Sequence, residues 1–378
     1  MPVPIVGVIG GGQLARMMVP QALELGIEIR VLAETEGSSA RLAATEVGDY
    51  RDLETVREFA RGVDVVTFDH EHVPQDVLRA LVDDGVAVHP GPHALEFAQD
   101  KLAMRRRLTE LGAPVPEWAE VRTEAELDAF IAAHDGEAVL KTPRGGYDGH
   151  GVRIVRAGSE GADWFGDFEA LLVEELVDFR RELAQLVARR PSGEIVAWPL
   201  VESVQQNGVC KEVLAPAPSA SPREREVTRA IAEQIASGLD VTGVLAVELF
   251  ETTDDRVLIN ELAMRPHNTG HWTIDGARTS QFEQHLRAVL DLPLGDASAR
   301  EAASVMINIL GGPQHEAITD RFAAVMARHP EAKLHTYGKS ARPGRKVGHV
   351  TVTGGNLDEV AYAARSAAAT FDDEEIAE

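Results

Sequence analysis

The chain has 378 residues, 44% of them hydrophobic, so two or three globular domains are expected rather than one core. A formal charge of −24 argues against a nucleic-acid partner, which needs a basic footprint, and against an anionic membrane surface. One cysteine, Cys210, excludes an internal disulfide framework and a cysteine-based zinc site; with no signal-peptide pattern after Met1 and no bilayer-length apolar run, a reducing cytoplasm is the expected compartment.

The first ninety residues alternate strand and helix. Ile5 to Ile9 is a short apolar run that predicts a buried strand. After Gly10-Gly11-Gly12, apolar residues at Leu14, Met17, Met18 and Leu25 fall at helical spacing. Ile27 to Leu32 and Val63 to Phe68 predict two more strands, and the alternation implies a parallel sheet covered by helices. Gly10 to Ala15 also fits G-x-G-x-x-A at a strand-to-helix turn, with Glu34 at the distance of a ribose-binding acid. Alone, that pattern predicts an NAD-dependent oxidoreductase. Its physical content is broader: backbone N–H groups at a helix N-terminus suit any phosphate, and a tight turn needs no ligand at all. Pro90-Gly91-Pro92 punctuates the end of this region.

A helix from about Leu95 to Leu111 follows, carrying Lys101, and Pro114 and Pro116 end it. A compact segment then runs to about Val173, with a strand at Ala138 to Lys141 and the loop Gly145-Gly146-Tyr147-Asp148-Gly149-His150-Gly151 behind it. Four glycines in seven residues suit neither strand nor helix but fit a mobile loop that presents N–H donors to phosphates, with Lys141 as a cation at its base. A plain surface hairpin is the competing reading. Leu172 to Val177 reads as an edge segment joining two lobes, whose backbone could pair with an adenine edge while a carboxylate holds ribose hydroxyls.

From Leu171 onward the pattern is strand-rich, at Leu183–Val187, Ile195–Leu200, Val209–Leu214, Val244–Phe250 and Val257–Leu262, interrupted by a helix Arg223 to Ser237. This predicts α+β structure with an antiparallel sheet. Glu248 lies inside one apolar strand, Asn260 and Glu261 in the next, and Asp254-Asp255 between them reads as a hairpin turn. Two carboxylates brought together in apolar surroundings are costly unless compensated. A magnesium ion bridging ATP phosphates would compensate them, since Mg²⁺ takes a few carboxylates plus phosphate oxygens; salt-bridged structural glutamates are the alternative. Leu292 to Gly295 marks a second boundary, before strands near Val305–Leu310 and Val347–Thr353, a helix from about Leu357 and an acidic tail.

Taken in order, Gly10 to Leu14, Gly145 to Gly151, Leu258 to Trp272, Ser280 to Glu283 with Leu292-Pro293-Leu294, and Arg342 to His349 resemble the ATP-grasp superfamily. Within its purine-biosynthesis branch they are similar to the N5-carboxyaminoimidazole ribonucleotide synthetases. The resemblance implies an α/β and α+β multidomain chain: a parallel-sheet, biotin-carboxylase-like domain at 1–94, an ATP-grasp domain at 95–295 with a mobile lid at about 115–173, and a small C-terminal domain at 296–378. It implies ATP-dependent carboxylation of 5-aminoimidazole ribonucleotide by bicarbonate, through carboxyphosphate, and a homodimer.

Carried over residue by residue, the resemblance assigns ATP contacts to Lys101, Lys141, Gly146, Tyr147, Asp148, Gly149, His150, Gly151, Val152, Glu174, Glu175, Leu176, Val177, Glu182, Gln205, Asn260 and Glu261. Glu248 and Glu261 become the Mg²⁺ ligands. Arg265 is expected to hold bicarbonate or the developing carboxyphosphate charge, with His267 and Asn268 orienting it. Tyr147 and Asp148 are expected to face the aminoimidazole, Glu71 to orient the substrate, and Lys339 and Arg345 to bind its phosphate. Gln205 stands where the family has a histidine, His150 where it has Lys or Arg, and Met264 where it has Pro. His267 and His271 do not read as a zinc pair, because Thr269-Gly270 between them breaks a helix. The rival readings are the NAD-dependent oxidoreductase, a formate-dependent ATP-grasp glycinamide ribonucleotide transferase, and a non-catalytic nucleotide sensor.

Overall fold

In the computed structural model, which describes residues 3–146, 151–313 and 317–371, the first apolar runs form a four-stranded parallel sheet. Its strands are β1 (Ile5–Ile9), β2 (Glu28–Ala33), β3 (Ala44–Val47) and β4 (Val65–Phe68), in the order β3-β2-β1-β4. Alternation along β1 sends Val6 and Val8 to one face, against Leu14 and Met18 of the helix Gln13–Leu25 and Phe282 and Leu286 of the helix Gln281–Val289. Ile9 goes to the other face, with Phe59 and Leu78. The sequence pattern missed β3, an edge strand whose side chains are mostly exposed and therefore form no apolar run.

The single helix expected from Leu95 to Leu111 is instead two, Pro92–Gln99 and Lys101–Glu110. Asp100 interrupts it: its side chain accepts from the Ala103 N–H at 3.0 Å, an N-cap that restarts the helix and makes Lys101 its first residue.

Next come β5 (Trp118–Val121), β6 (Ala138–Lys141), β7 (Val152–Val155) and β8 (Leu171–Glu175), an antiparallel sheet in the order β5-β8-β6-β7. Leu127 and Ile131 of the helix Glu124–Ala133 close its own small core with Leu140, Val155, Leu171 and Val173.

The antiparallel sheet expected from Leu171 onward is present and larger than the pattern indicated. It contains β9 (Phe179–Arg189), β10 (Ile195–Ala197), β11 (Val201–Gln206), β12 (Val209–Ala215), β13 (Gly243–Thr252), β14 (Val257–Ala263), β15 (Ala303–Leu310), β16 (Lys333–Thr336) and β17 (Lys346–Gly354). The order is β14-β13-β9-β11-β12-β15-β17-β16, with β10 beside β9. The helix Pro222–Gly238 starts in a capping box of Ser221 and Glu224 and lays Ile231 and Ile235 on Val187, Leu245 and Val247. Because β12 pairs with β15, from Glu212↔Ile307 to Ala215↔Ser304, the sheet runs without a break across residue 295.

Candidate active site

The β13–β14 hairpin is the floor of the site. Its register sets Glu248 directly opposite Glu261, and a bulge follows at once, because Leu249 pairs with Ile259 and Asn260 is the extra residue. Strict alternation would send Ile259 and Glu261 to the same face. With the bulge, Ile259 and Leu262 both enter the core while Asn260 and Glu261 both line a cleft. The two residues singled out in sequence thus share a face only because the strand is irregular there.

That cleft, of about 1260 Å³, is lined by the N-terminal sheet, the lid sheet and the long sheet together. Of the expected site residues that are described, all but Gly151 line it. Gly151 instead closes its loop: its carbonyl accepts from the Thr142 N–H at 2.9 Å, and its φ of +72° is a conformation few other residues adopt. Tyr147, Asp148, Gly149 and His150 lie outside the described residues.

Lys101 and Lys141 point at the hairpin from above. Lys101 Nζ donates to Glu261 Oε1 at 2.7 Å and Lys141 Nζ to Asn260 Oδ1 at 3.2 Å. Lys141 Nζ also sits 2.6 Å from Glu174 Oε2, and the other oxygen of Glu174 accepts from Arg105 Nε. Burial alone would raise the Glu174 carboxyl, but the two cations hold it down at about 2. The Glu174 side chain is thus committed to protein cations. One expectation is corrected: the segment is not an edge, because β8 is an interior strand, with Glu174 paired to Trp118 on one side and Val139 on the other. Leu176 and Val177, past the end of β8, are the part of the segment left outside the strand, and both line the cleft.

Burial, then the charges of Glu261 and Glu182, push the Glu248 carboxyl up to about 8, and the opposing charges of Lys346 and Arg265 do not hold it down. Glu182 is itself raised by burial, which a hydrogen bond from Gln205 opposes, so Gln205 does reach the acid beside the cleft. Two facing carboxylates form a donor set that fits a hard divalent ion. Among the described residues no group of three or more His, Cys, Asp or Glu could hold a metal, so such an ion would take its other ligands from phosphates and water.

Behind β14 the chain turns through Arg265, His267 and Asn268. Glu71, from the loop after β4, holds this turn: its Oε1 accepts the Met264 N–H at 2.6 Å and its Oε2 the Arg265 Nε–H at 3.2 Å. Expected to orient substrate, it orients Arg265 in this structure. His267 was expected to help orient the bicarbonate or carboxyphosphate at Arg265; both its ring nitrogens have protein partners. The Thr269 N–H donates to Nδ1 at 3.4 Å, which leaves the proton on Nε2, 3.1 Å from Glu248 Oε1. Burial, then Arg265, Lys346 and His271, keep the ring well below its ordinary pKa, so it is neutral. Asn268 exchanges amide hydrogen bonds with Asn308 of β15, at 2.6 and 3.2 Å.

The N-terminal glycine loop adopts the expected strand–turn–helix shape but is closed to a dinucleotide. Glu34 Oε2 accepts the Gly11 N–H at 3.2 Å and its other oxygen meets His70 at 3.0 Å, so the ribose acid is spent on the loop itself. Asp69 Oδ1 accepts the Ala15 N–H at 2.8 Å, placing a protein carboxylate where a phosphate would sit. Lys339 donates to Gln13 Oε1 at 2.8 Å beside this loop, and Arg345 and Lys346 line the same end of the cleft. Lys346 was not singled out within its basic run; its neighbours in the fold, Glu248 and His267, are far from it in sequence.

Lysines and paired carboxylates held between a small lid sheet and a long antiparallel sheet define the ATP-grasp class, and the ATP-grasp domain family matches residues 106–282. It is flanked by matches to the ribonucleotide synthetase preATP-grasp domain at 3–99 and the phosphoribosylaminoimidazole carboxylase C-terminal domain at 304–363. The chain belongs to the N5-carboxyaminoimidazole ribonucleotide synthase family. It is 51% identical over 373 residues to the synthase of Mycobacterium tuberculosis, covering 97% of this chain and 87% of that one. Its fold is similar to that of the Thermus thermophilus synthetase, at 36% identity and TM-score 0.88 over 99% of this chain and 100% of that one. It is equally similar in fold to the Aspergillus clavatus synthase in complex with ADP and 5-aminoimidazole ribonucleotide, at 32% identity and TM-score 0.88 over 98% and 99%. No helix among the described residues is long and apolar enough to cross a membrane.

Proposed function

We propose that the chain carboxylates 5-aminoimidazole ribonucleotide with bicarbonate and ATP, giving N5-carboxyaminoimidazole ribonucleotide, ADP and phosphate. The observation that carries this reading is the facing pair Glu248 and Glu261, with two lysines on one side and the Arg265 turn on the other, in one cleft. Lys101 and Lys141 contact the ATP phosphates, the backbone at Leu176-Val177 takes the adenine edge, and Glu182 with Gln205 takes the ribose. Glu248 and Glu261 would hold Mg²⁺, which supplies neutralisation of phosphate charge when bound.

In the first step a bicarbonate oxygen attacks the γ-phosphorus and the bond to ADP breaks, leaving carboxyphosphate. Arg265, fixed by Glu71, stabilises the negative charge, and Asn268 keeps the turn in place through Asn308. In the second step the exocyclic amine attacks the carboxyl carbon, phosphate leaves, and the amine proton goes with it. Enclosure in the cleft keeps water from the reactive intermediate. Lys339 and Arg345, with Lys346 beside them, hold the ribonucleotide phosphate.

The proposed parts are 1–94, 95–295 with a lid at about 115–173, and 296–378; each supplies residues to the cleft. A cytoplasmic homodimer completes the reading: the dimer rests on the family resemblance alone and the reducing compartment on the single, free thiol of Cys210; sedimentation would test the dimer. The deciding experiment is phosphate release from ATP and bicarbonate with and without 5-aminoimidazole ribonucleotide. Strong stimulation by the ribonucleotide is expected. Its absence, with Glu261→Ala behaving as the parent, would overturn the proposal.

A further inference from the structure

Lys101 and Arg105 stand four residues apart on the helix Lys101–Glu110, hence on one face, a turn apart. Lys101 reaches the cleft. Arg105 does not: it is wholly buried and lines no part of the wall. A buried guanidinium is costly and persists only where its bonds offset the lost hydration.

Its bonds end on groups that do face the cleft. Nε donates to Glu174, the carboxylate whose second oxygen fixes Lys141 at 2.6 Å. Nη2 donates to the Asn260 carbonyl at 2.6 Å. Asn260 is the extra residue of the β14 bulge, and among the described residues β14 is an edge strand paired only with β13. Its outer side is otherwise met by the Pro114 carbonyl, which accepts the Ile259 N–H at 2.8 Å. Nη1 has no hydrogen-bond partner among the described residues.

We propose that Arg105 is a positioning residue for the nucleotide, setting Lys141 through Glu174 and the Asn260–Glu261 pair through the Asn260 carbonyl. The inference rests on the ATP-grasp reading of the cleft. One guanidinium thereby ties a lid strand to the metal strand, and planar donors in a fixed fork do this where an ammonium cannot. A purely structural buried pair behaves differently: replacing both charges by apolar groups of similar size leaves stability unchanged or improves it. Here that replacement keeps the fold and loses the alignment.

The test uses Arg105→Lys and the double variant Arg105→Met/Glu174→Leu. Three quantities are measured on each: the dissociation constant of ADP with magnesium by calorimetry, the melting temperature, and KM for ATP and for the ribonucleotide. Arg105→Lys keeps a charge for Glu174 but gives up the forked reach to Asn260; a roughly tenfold loss of ADP affinity is expected. The double variant is expected to melt near the parent temperature, with a loss of roughly a hundredfold. KM for ATP rises in both, and KM for the ribonucleotide stays at the parent value. Either folded variant binding ADP as the parent does would overturn the inference. A parent that binds no ADP would overturn the ATP-grasp reading instead.

Discussion

At the scale of single residues, charge is placed by pairing. Glu248 has a neutral imidazole where Glu261 has an ammonium. The His267 Nε2–H orients the Glu248 carboxyl without adding a positive charge, and a bound metal would displace the proton that burial favours there. His267→Phe removes that donor while keeping the ring, and outer partners of this kind are worth roughly 10–100-fold in metal affinity. The expected outcome is a magnesium requirement for phosphate release raised about tenfold, read from a magnesium titration at saturating ATP; an unchanged half-saturation would contradict the assignment. Glu174 gives a pH signature. Its carboxyl is held at about 2, below its ordinary 4.5. A carboxylate depressed in the folded state adds stability above its unfolded pKa and loses it as pH falls through the folded value. The stability of the parent should therefore fall from pH 4.5 toward pH 2 more steeply than that of Glu174→Gln, as measured by urea unfolding across that window.

At the scale of elements, the glycine turn before the helix Gln13–Leu25 is built for its own cap. A Cβ on Gly12 would stand 1.9 Å from Asp69 Oδ2, so Gly12→Ala must displace the carboxylate that caps this helix. Loss of about 1–2 kcal/mol of stability is expected, measured by denaturant unfolding, with KM for the ribonucleotide rising as Gln13 and Lys339 shift. The same turn shows where sequence reading stops. Its shape was legible, because glycines between an apolar strand and a helical pattern permit little else. Its occupant was not, since Asp69 and Glu34 arrive from separate strands. The hairpin of β13 and β14 was legible for the opposite reason: its partners are adjacent in sequence and its turn residues announce it. The bulge that turns Asn260 and Glu261 to one face left no mark in the alternation. Arg105 read as one more charged helix residue, and only its depth beneath β14 distinguishes it. The interior position of β8 was hidden because β5 has too few consecutive apolar residues to signal a strand.

At the scale of the whole molecule, the C-terminal residues are part of the sheet that carries the site. β15 covers the edge of β12, Asn308 locks Asn268, and Thr336 and Lys339 bond to Arg16 and Gln13 on the first helix. Every proposed ATP contact nevertheless lies at or before Glu261. A detachable C-terminal domain and an integral one therefore predict different things for a chain cut after residue 295. If the domain is detachable, the fragment loses ribonucleotide binding and keeps ADP. If it is integral, the cut exposes the β12 edge, with its unpaired backbone groups and apolar Leu214, and leaves the Asn268 amide without its partner. The integral outcome is expected: an aggregated fragment by size-exclusion chromatography, with ADP binding lost along with ribonucleotide binding. A monodisperse fragment holding ADP within about threefold of the parent, a difference under about 1 kcal/mol, would instead make the continuity of the sheet a feature of packing that the nucleotide site does not need.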